Sequence, residues 1–161
     1  AARAKVAHGS VYLHFASQQA LFDEVLPTLG QRMLESLHDA IRASADVIDL
    51  ERRGLEANFA YLAGNSYMYR VFFEAEQFAP DAYRRYSDSL TESYARSLAR
   101  SLPVGRFRAD EMLGVANMLM GARTQLLKRY ATQHCSIITL PGSVIGTYLK
   151  FVGQGLLGAQ D

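Results

Sequence analysis

Almost every segment of this chain reads as helix, punctuated by prolines and by small polar clusters. Pro27, Pro80, Pro103 and Pro141, with clusters of Gly, Ser and Asp, divide the 161 residues into helix-length pieces. No stretch sustains period-two alternation with β-branched enrichment, so no sheet is expected. The run Ile137, Ile138, Thr139 is short and falls in a connector. The expected fold class is therefore all-α.

The expected elements run as follows. A helix ends at 1–4, a turn surrounds Lys5 and Val6, and a short helix covers 8–14. Ser17 caps a long helix over 18–44, with a kink possible at Pro27, where a backbone donor is missing. Further helices cover 49–63, closed by Gly64 and Asn65, and 66–78. Pro80 sits at the favoured first-turn position of a helix over 81–101. After the break at Pro103, Val104 and Gly105, Ala109 or Asp110 opens a helix to 131. Pro141 opens the last, which runs to 157.

Composition narrows the setting. Apolar residues are 49% of the chain, too many for disorder, and charged residues are 20%, which is ordinary. No apolar run approaches the roughly 20 residues that span a bilayer, and no export signal is read at the start. No membrane partner is expected. Cys135 is the one cysteine, so no internal disulfide can form, which fits a reducing cytoplasm. His134 and Ser136 beside it do not complete a zinc site, and no metal or cofactor is expected. His38 stands on a helix with Glu35 and Asp39 nearby and reads as a solvated face. No Ser/His/Asp or Cys/His set shows recognisable spacing, so no catalytic residues and no enzyme activity are expected.

The net charge of +1 says little, but its distribution says more. Arg3, Lys5, His8 and His14 all precede the first acidic residue, Asp23. A short basic end on a near-neutral body suits a part that touches phosphates. Within 1–26 the short helix has Val6, Val11 and Phe15 on one side. His8, Ser10, Tyr12 and His14 are left for the other. A helix of two turns is marginal alone in water and must be held by its neighbours, as a recognition helix is in a helix-turn-helix. Gly9 and Ser10 have little bulk, so a groove or a phosphate can approach closely.

The run Ala4, Lys5, Val6, Ala7, His8, Gly9, Ser10, Val11, Tyr12, Leu13, His14, Phe15, followed by Ser17 and Leu21, resembles the recognition-helix signature of the TetR family of bacterial transcriptional regulators. Beyond it, the chain is similar to that family only in its helix-by-helix layout. The resemblance implies a helix-turn-helix head, of which 1–17 would be the remnant, and a ligand-binding and dimerisation bundle over 18–161. The head would begin inside the family's second helix, and is expected to be incomplete and to bind DNA poorly alone. The resemblance places Lys5, His8, Ser10, Tyr12, His14 and Gln18 at or beside DNA-facing positions. Three departures stand out. Lys5 replaces the usual turn Gly, at a cost of about 1 kcal/mol if φ is positive there. Ala7 replaces a Ser or Thr cap worth about 1 kcal/mol. Gln18 and Gln19 replace Lys and Glu.

The segment 58–94 carries ten large rings, from Phe59 to Tyr94. Helix 66–78 is apolar around most of its circumference and must be buried on several sides. Glu74 and Glu76 nevertheless lie within it. Glu76 falls about a turn after Phe72 and Phe73, so it is expected to point inward and to need a partner, with Arg123 or Asn117 as candidates. Tyr61, Tyr69, Phe73, Glu76, Tyr94, Asn117, Met118 and Arg123 together make the mixture of apolar walls and few polar groups that a small-molecule site uses. The same stripes would serve as plain core.

Gly114 and Gly121 are seven apart, as are Gly146 and Gly153. Each pair lies on one helical stripe, and such glycines suggest close helix approach. With Gln125 and Leu149 they form a candidate two-fold homodimer seam, which is also what the resemblance implies. Packing within one subunit is the alternative. The function expected on this reading is a regulator, a repressor in sense, released from double-stranded operator DNA by a small, largely apolar or aromatic effector. The alternative is a helical-bundle small-molecule-binding protein or enzyme without DNA binding.

Overall fold

The computed structural model describes residues 15–130 and 140–158. Among them every regular element is a helix: α1 Gln18–Ile41, α2 Val47–Gly64, α3 Ser66–Phe78, α4 Pro80–Ser101, α5 Ala109–Tyr130 and α6 Gly142–Leu157. None is long and apolar enough to cross a membrane. The expected short helix 8–14, the connector around Ile137 and the Cys135 neighbourhood lie outside the described residues.

Local chemistry sets the boundaries. The Ser17 hydroxyl accepts the Ala20 N–H at 3.1 Å and starts α1. Asp46 does the same for α2, accepting from Asp49 N–H at 2.8 Å. Asn65 closes α2 twice, with its backbone N–H on Leu62 O at 3.2 Å and its amide on Tyr61 O at 2.9 Å. Pro80 takes the first turn of α4, where its missing donor costs nothing. The Glu111 carboxylate accepts the Arg108 N–H at 2.8 Å and steadies the start of α5. α1 continues through the exposed Pro27 as a single helix and ends at Ile41, three residues earlier than expected.

The packing has two centres. The larger core gathers Leu55, Leu62, Met68, Leu98 and Val152, drawn from α2, α3, α4 and α6. The smaller holds Phe22 and Leu26 of α1 against Ala75, Ala79 and Ala82. Those alanines are short, so the first half of α1 lies close to the junction of α3 and α4. The second half of α1 reaches the larger core through Met33. One helix thus spans both centres.

Gly30 is the tight point on α1, because a Cβ added there would land in the ring of Tyr86 on α4. Replacing Gly by Ala in a helix interior ordinarily gains about 1 kcal/mol. Here Gly30→Ala must move the Tyr86 ring or separate α1 from α4. We expect a net loss of about 1–3 kcal/mol in urea unfolding, with Gly64→Ala, where no atom crowds the added Cβ, showing no such loss.

Candidate functional site

The most demanding chemistry in the protein is a buried carboxylate. Glu51 follows Val47 by one turn on the apolar stripe of α2 and is completely enclosed. An enclosed unpaired carboxylate would cost several kcal/mol, so its partners must come from neighbouring helices. They do. Arg123 of α5 donates from Nη2 to Glu51 Oε2 at 2.9 Å, and the Tyr148 hydroxyl of α6 donates to the same oxygen at 2.7 Å. The Tyr94 hydroxyl of α4 donates to Oε1. Arg123 Nε donates to the Tyr148 oxygen at 3.3 Å, and its guanidinium lies over the Tyr94 ring, 4.6 Å from the centroid. Gly54 leaves room for this guanidinium, since a Cβ there would stand 3.3 Å from Nη2.

Electrostatics follow from burial. Burial pushes the Tyr148 phenol up to about 12, further raised by Glu51 and partly offset by Arg123. Tyr94 is held well above its ordinary value, first by burial. Burial opposes the charge on Arg123, but the Tyr94, Glu51 and Tyr148 oxygens more than offset it and keep the guanidinium protonated. Glu51 and Arg123 form the ion pair of the cluster, and the two phenols stay protonated at neutral pH.

Above this cluster lies a cavity of about 460 Å³ bounded by α1 to α5. That size falls in the range of small-molecule sites. Arg123 and Tyr94 form part of its wall, with Met33, Leu37, Leu90 and Phe72 among its apolar surfaces and Asn58, Thr91 and Ser97 among its polar ones. Tyr69 and Phe73 meet as tilted rings with centroids 4.5 Å apart, and the Lys128 ammonium lies 4.9 Å from the Phe73 centroid. Tyr86 stacks on Phe72 at 5.1 Å and separates this cavity from a second, smaller one of about 320 Å³ between α1 and α4. The Tyr86 hydroxyl is buried with no hydrogen-bond partner among the described residues, and burial raises its pKa.

The expected ligand residues divide. Tyr69, Phe73, Tyr94, Asn117 and Arg123 line the cavity. Tyr61 is packed beside the larger core instead, Met118 is 68% exposed on the outer face of α5, and Glu76 is exposed. The inward Glu76 is therefore corrected: the carboxylate that Arg123 meets is Glu51, 72 positions away in sequence. Glu51 and Tyr148 were missed, as were His38, Asn58 and Lys128. Glu51 left a readable signal, a carboxylate on an apolar stripe between Leu50 and Leu55. Lys128 left none.

The expected dimer residues divide as well. Gly114, Gly121, Gln125 and Gly146 are exposed, and no side chain crowds those glycines. Gly121 and Gln125 also border the cavity. Gly153 faces Ile48 of α2, whose Cδ1 would stand 3.2 Å from an added Cβ, and Leu149 packs beside the larger core. Of the expected DNA-facing residues, Lys5, His8, Ser10, Tyr12 and His14 lie outside the described residues, and Gln18 is exposed at the start of α1. Among the described residues no three His, Cys, Asp or Glu side chains gather to hold a metal ion.

Comparison with protein-family models finds no match, and comparison with curated proteins finds none either.

The Glu51 cluster predicts strong non-additivity. Glu51→Leu or Arg123→Met alone should cost about 3–5 kcal/mol, because each leaves its partner buried without a counter-charge. The double variant should recover most of that loss in chemical denaturation, and additive losses would refute the pairing.

Proposed function

We propose that this protein is a ligand-controlled transcriptional regulator of the kind its head sequence resembles. On this reading two protomers associate, the 1–17 segments contact double-stranded operator DNA, and a small, largely apolar or aromatic effector enters the cavity and weakens that contact. The direction of control is repression relieved by the effector.

One observation carries the reading: a single helix runs from the motif to the cavity. α1 starts at Gln18, directly after the motif's Ser17, and its other half supplies Met33, Leu34 and Leu37 to the cavity wall. Tyr86 stands against α1 at Gly30 and against the cavity at once. Its hydroxyl has no hydrogen bond to another described residue to lose on moving. A molecule that displaces this ring must push on α1, and the motif moves with it. An effector that favours the displaced arrangement weakens DNA binding by linkage.

The exposed faces of α5 and α6 support association. Leu113, Met118 and Phe151 stand exposed on these helices beside the uncrowded Gly114 and Gly146. A two-fold pairing through them would bury large apolar side chains and present the two α1 starts on one side, as reading of successive major grooves requires.

The full-length gene product should retard the DNA upstream of its own gene in a mobility-shift titration, at lower protein concentration than unrelated DNA. Lys5→Ala should reduce the dependence of log affinity on log salt by about 1, as loss of one phosphate contact does. Equal retardation of both DNAs, or none at low salt, would leave the alternative of a small-molecule-binding protein that does not bind DNA.

A further inference from the structure

The walls of the cavity are charged with one sign only. Among its described lining residues are two cations, Arg123 and Lys128, and no Asp or Glu. Arg123 is already matched by Glu51 behind the wall. Among the described residues no carboxylate pairs with Lys128, which is exposed, and its one described interaction is with the face of the Phe73 ring. Of the carboxylates on α3 and α5, Glu74 is bound to Arg70 at 2.8 Å, Asp110 and Glu111 near the start of α5 are bound to Arg108 at 3.1 Å, and Glu76 is exposed and outside the cavity lining. Asp110 and Glu111 stand more than three helical turns from Lys128 along α5.

The neutral groups on the same side of α5 suit the same partner. Asn117, Thr124 and Lys128 recur at helical spacing on one side of α5, with Gly121 between them, and all four border the cavity. Two of the three side chains can donate hydrogen bonds without charge. Gly121 keeps the wall low between them. The remaining surface near Phe73 is apolar and aromatic. An amine entering here would face Lys128 with no carboxylate among the described lining residues. A neutral molecule would leave the Lys128 charge unused. A carboxylate gains a charge-assisted contact while its body stays against the rings.

We propose that the cavity takes an apolar organic carboxylate, with its acid group at Lys128, beside Thr124 one turn away, and its hydrocarbon body directed toward Phe72 and Leu90. This rests on the reading of the cavity as a ligand site and names the chemistry of that ligand. The uncharged side of the preference comes from the ring and aliphatic walls, and the choice of acid over amine comes from Lys128.

Isothermal titration of the full chain near neutral pH with phenylbutyrate, phenylbutanol and phenylbutylamine tests it. The three probes share one hydrocarbon body and differ in head-group charge. The acid should bind roughly tenfold or more tightly than the alcohol, equivalent to one charged contact, and the amine should bind weakest. Lys128→Met should bring the acid down to the level of the alcohol and leave the alcohol unchanged. Equal affinity for acid and alcohol, or tighter binding of the amine, overturns the anion preference while leaving the ligand site standing. An equal loss for acid and alcohol in Lys128→Met places the effect in the fold and also overturns it. Binding of none of the three overturns both the preference and the ligand site.

Discussion

The contact between Glu51 and Arg123 is the interaction on which the arrangement of the bundle depends. A carboxylate and a guanidinium removed from water are tolerated only when their geometry is held and their remaining hydrogen bonds are filled. Tyr94 and Tyr148 fill them, so α2, α4, α5 and α6 are bound to one point by four side chains. Apolar contacts alone would let these helices slide until the space between them closed, because protein interiors pack densely. A directional polar cluster resists that slide. It gives the cavity a firm floor, and it gives the floor one cationic group aligned on an aromatic face.

The opposite end of the cavity is built differently. There the contacts are rings and aliphatic side chains: Phe72 on Tyr86, Tyr69 on Phe73, Met33 and Leu34 from α1. Such contacts are less directional than the hydrogen bonds of the floor. The protein therefore joins a hydrogen-bonded floor to an apolar roof, and α1 is part of the roof. Its other half rests on three alanines, whose short side chains permit close approach without interlocking. A change in what fills the cavity is expected to be taken up by α1 before it disturbs α5 or α6.

Much of the helix layout was legible in the sequence, because its signals are local. Ser17, Asn65 and Pro80 act through hydrogen bonds within a turn of themselves, and a reader of sequence has all the partners in view. The floor of the cavity was not legible, because its contacts join residues as far as 97 positions apart. Periodicity could place Glu76 beside Phe72 and Phe73 but could not say which way α3 turns in the bundle. The helix exposes Glu76 and buries Met68 and Ala75 instead. Met118 failed for the same reason, since the inward face of α5 is set by Met112, Leu119 and Arg123. The seven-residue glycine spacing on α6 likewise joined two residues with different surroundings: Gly146 is open, and Gly153 receives Ile48. Arg123 was legible as a polar group in the site, but its true partner lay on a helix whose acidic residue was not singled out.

The central claim is that filling the cavity moves the start of α1. Spin labels attached at Gln18→Cys in full-length protein, with Cys135→Ser to remove the native thiol, report the separation of the two α1 starts in a dimer by pulsed electron resonance. The account predicts a defined separation without ligand and a shifted one when the tightest-binding phenylbutyl probe saturates the cavity. Identical distributions at calorimetric saturation, or no intermolecular distance at all, would contradict it.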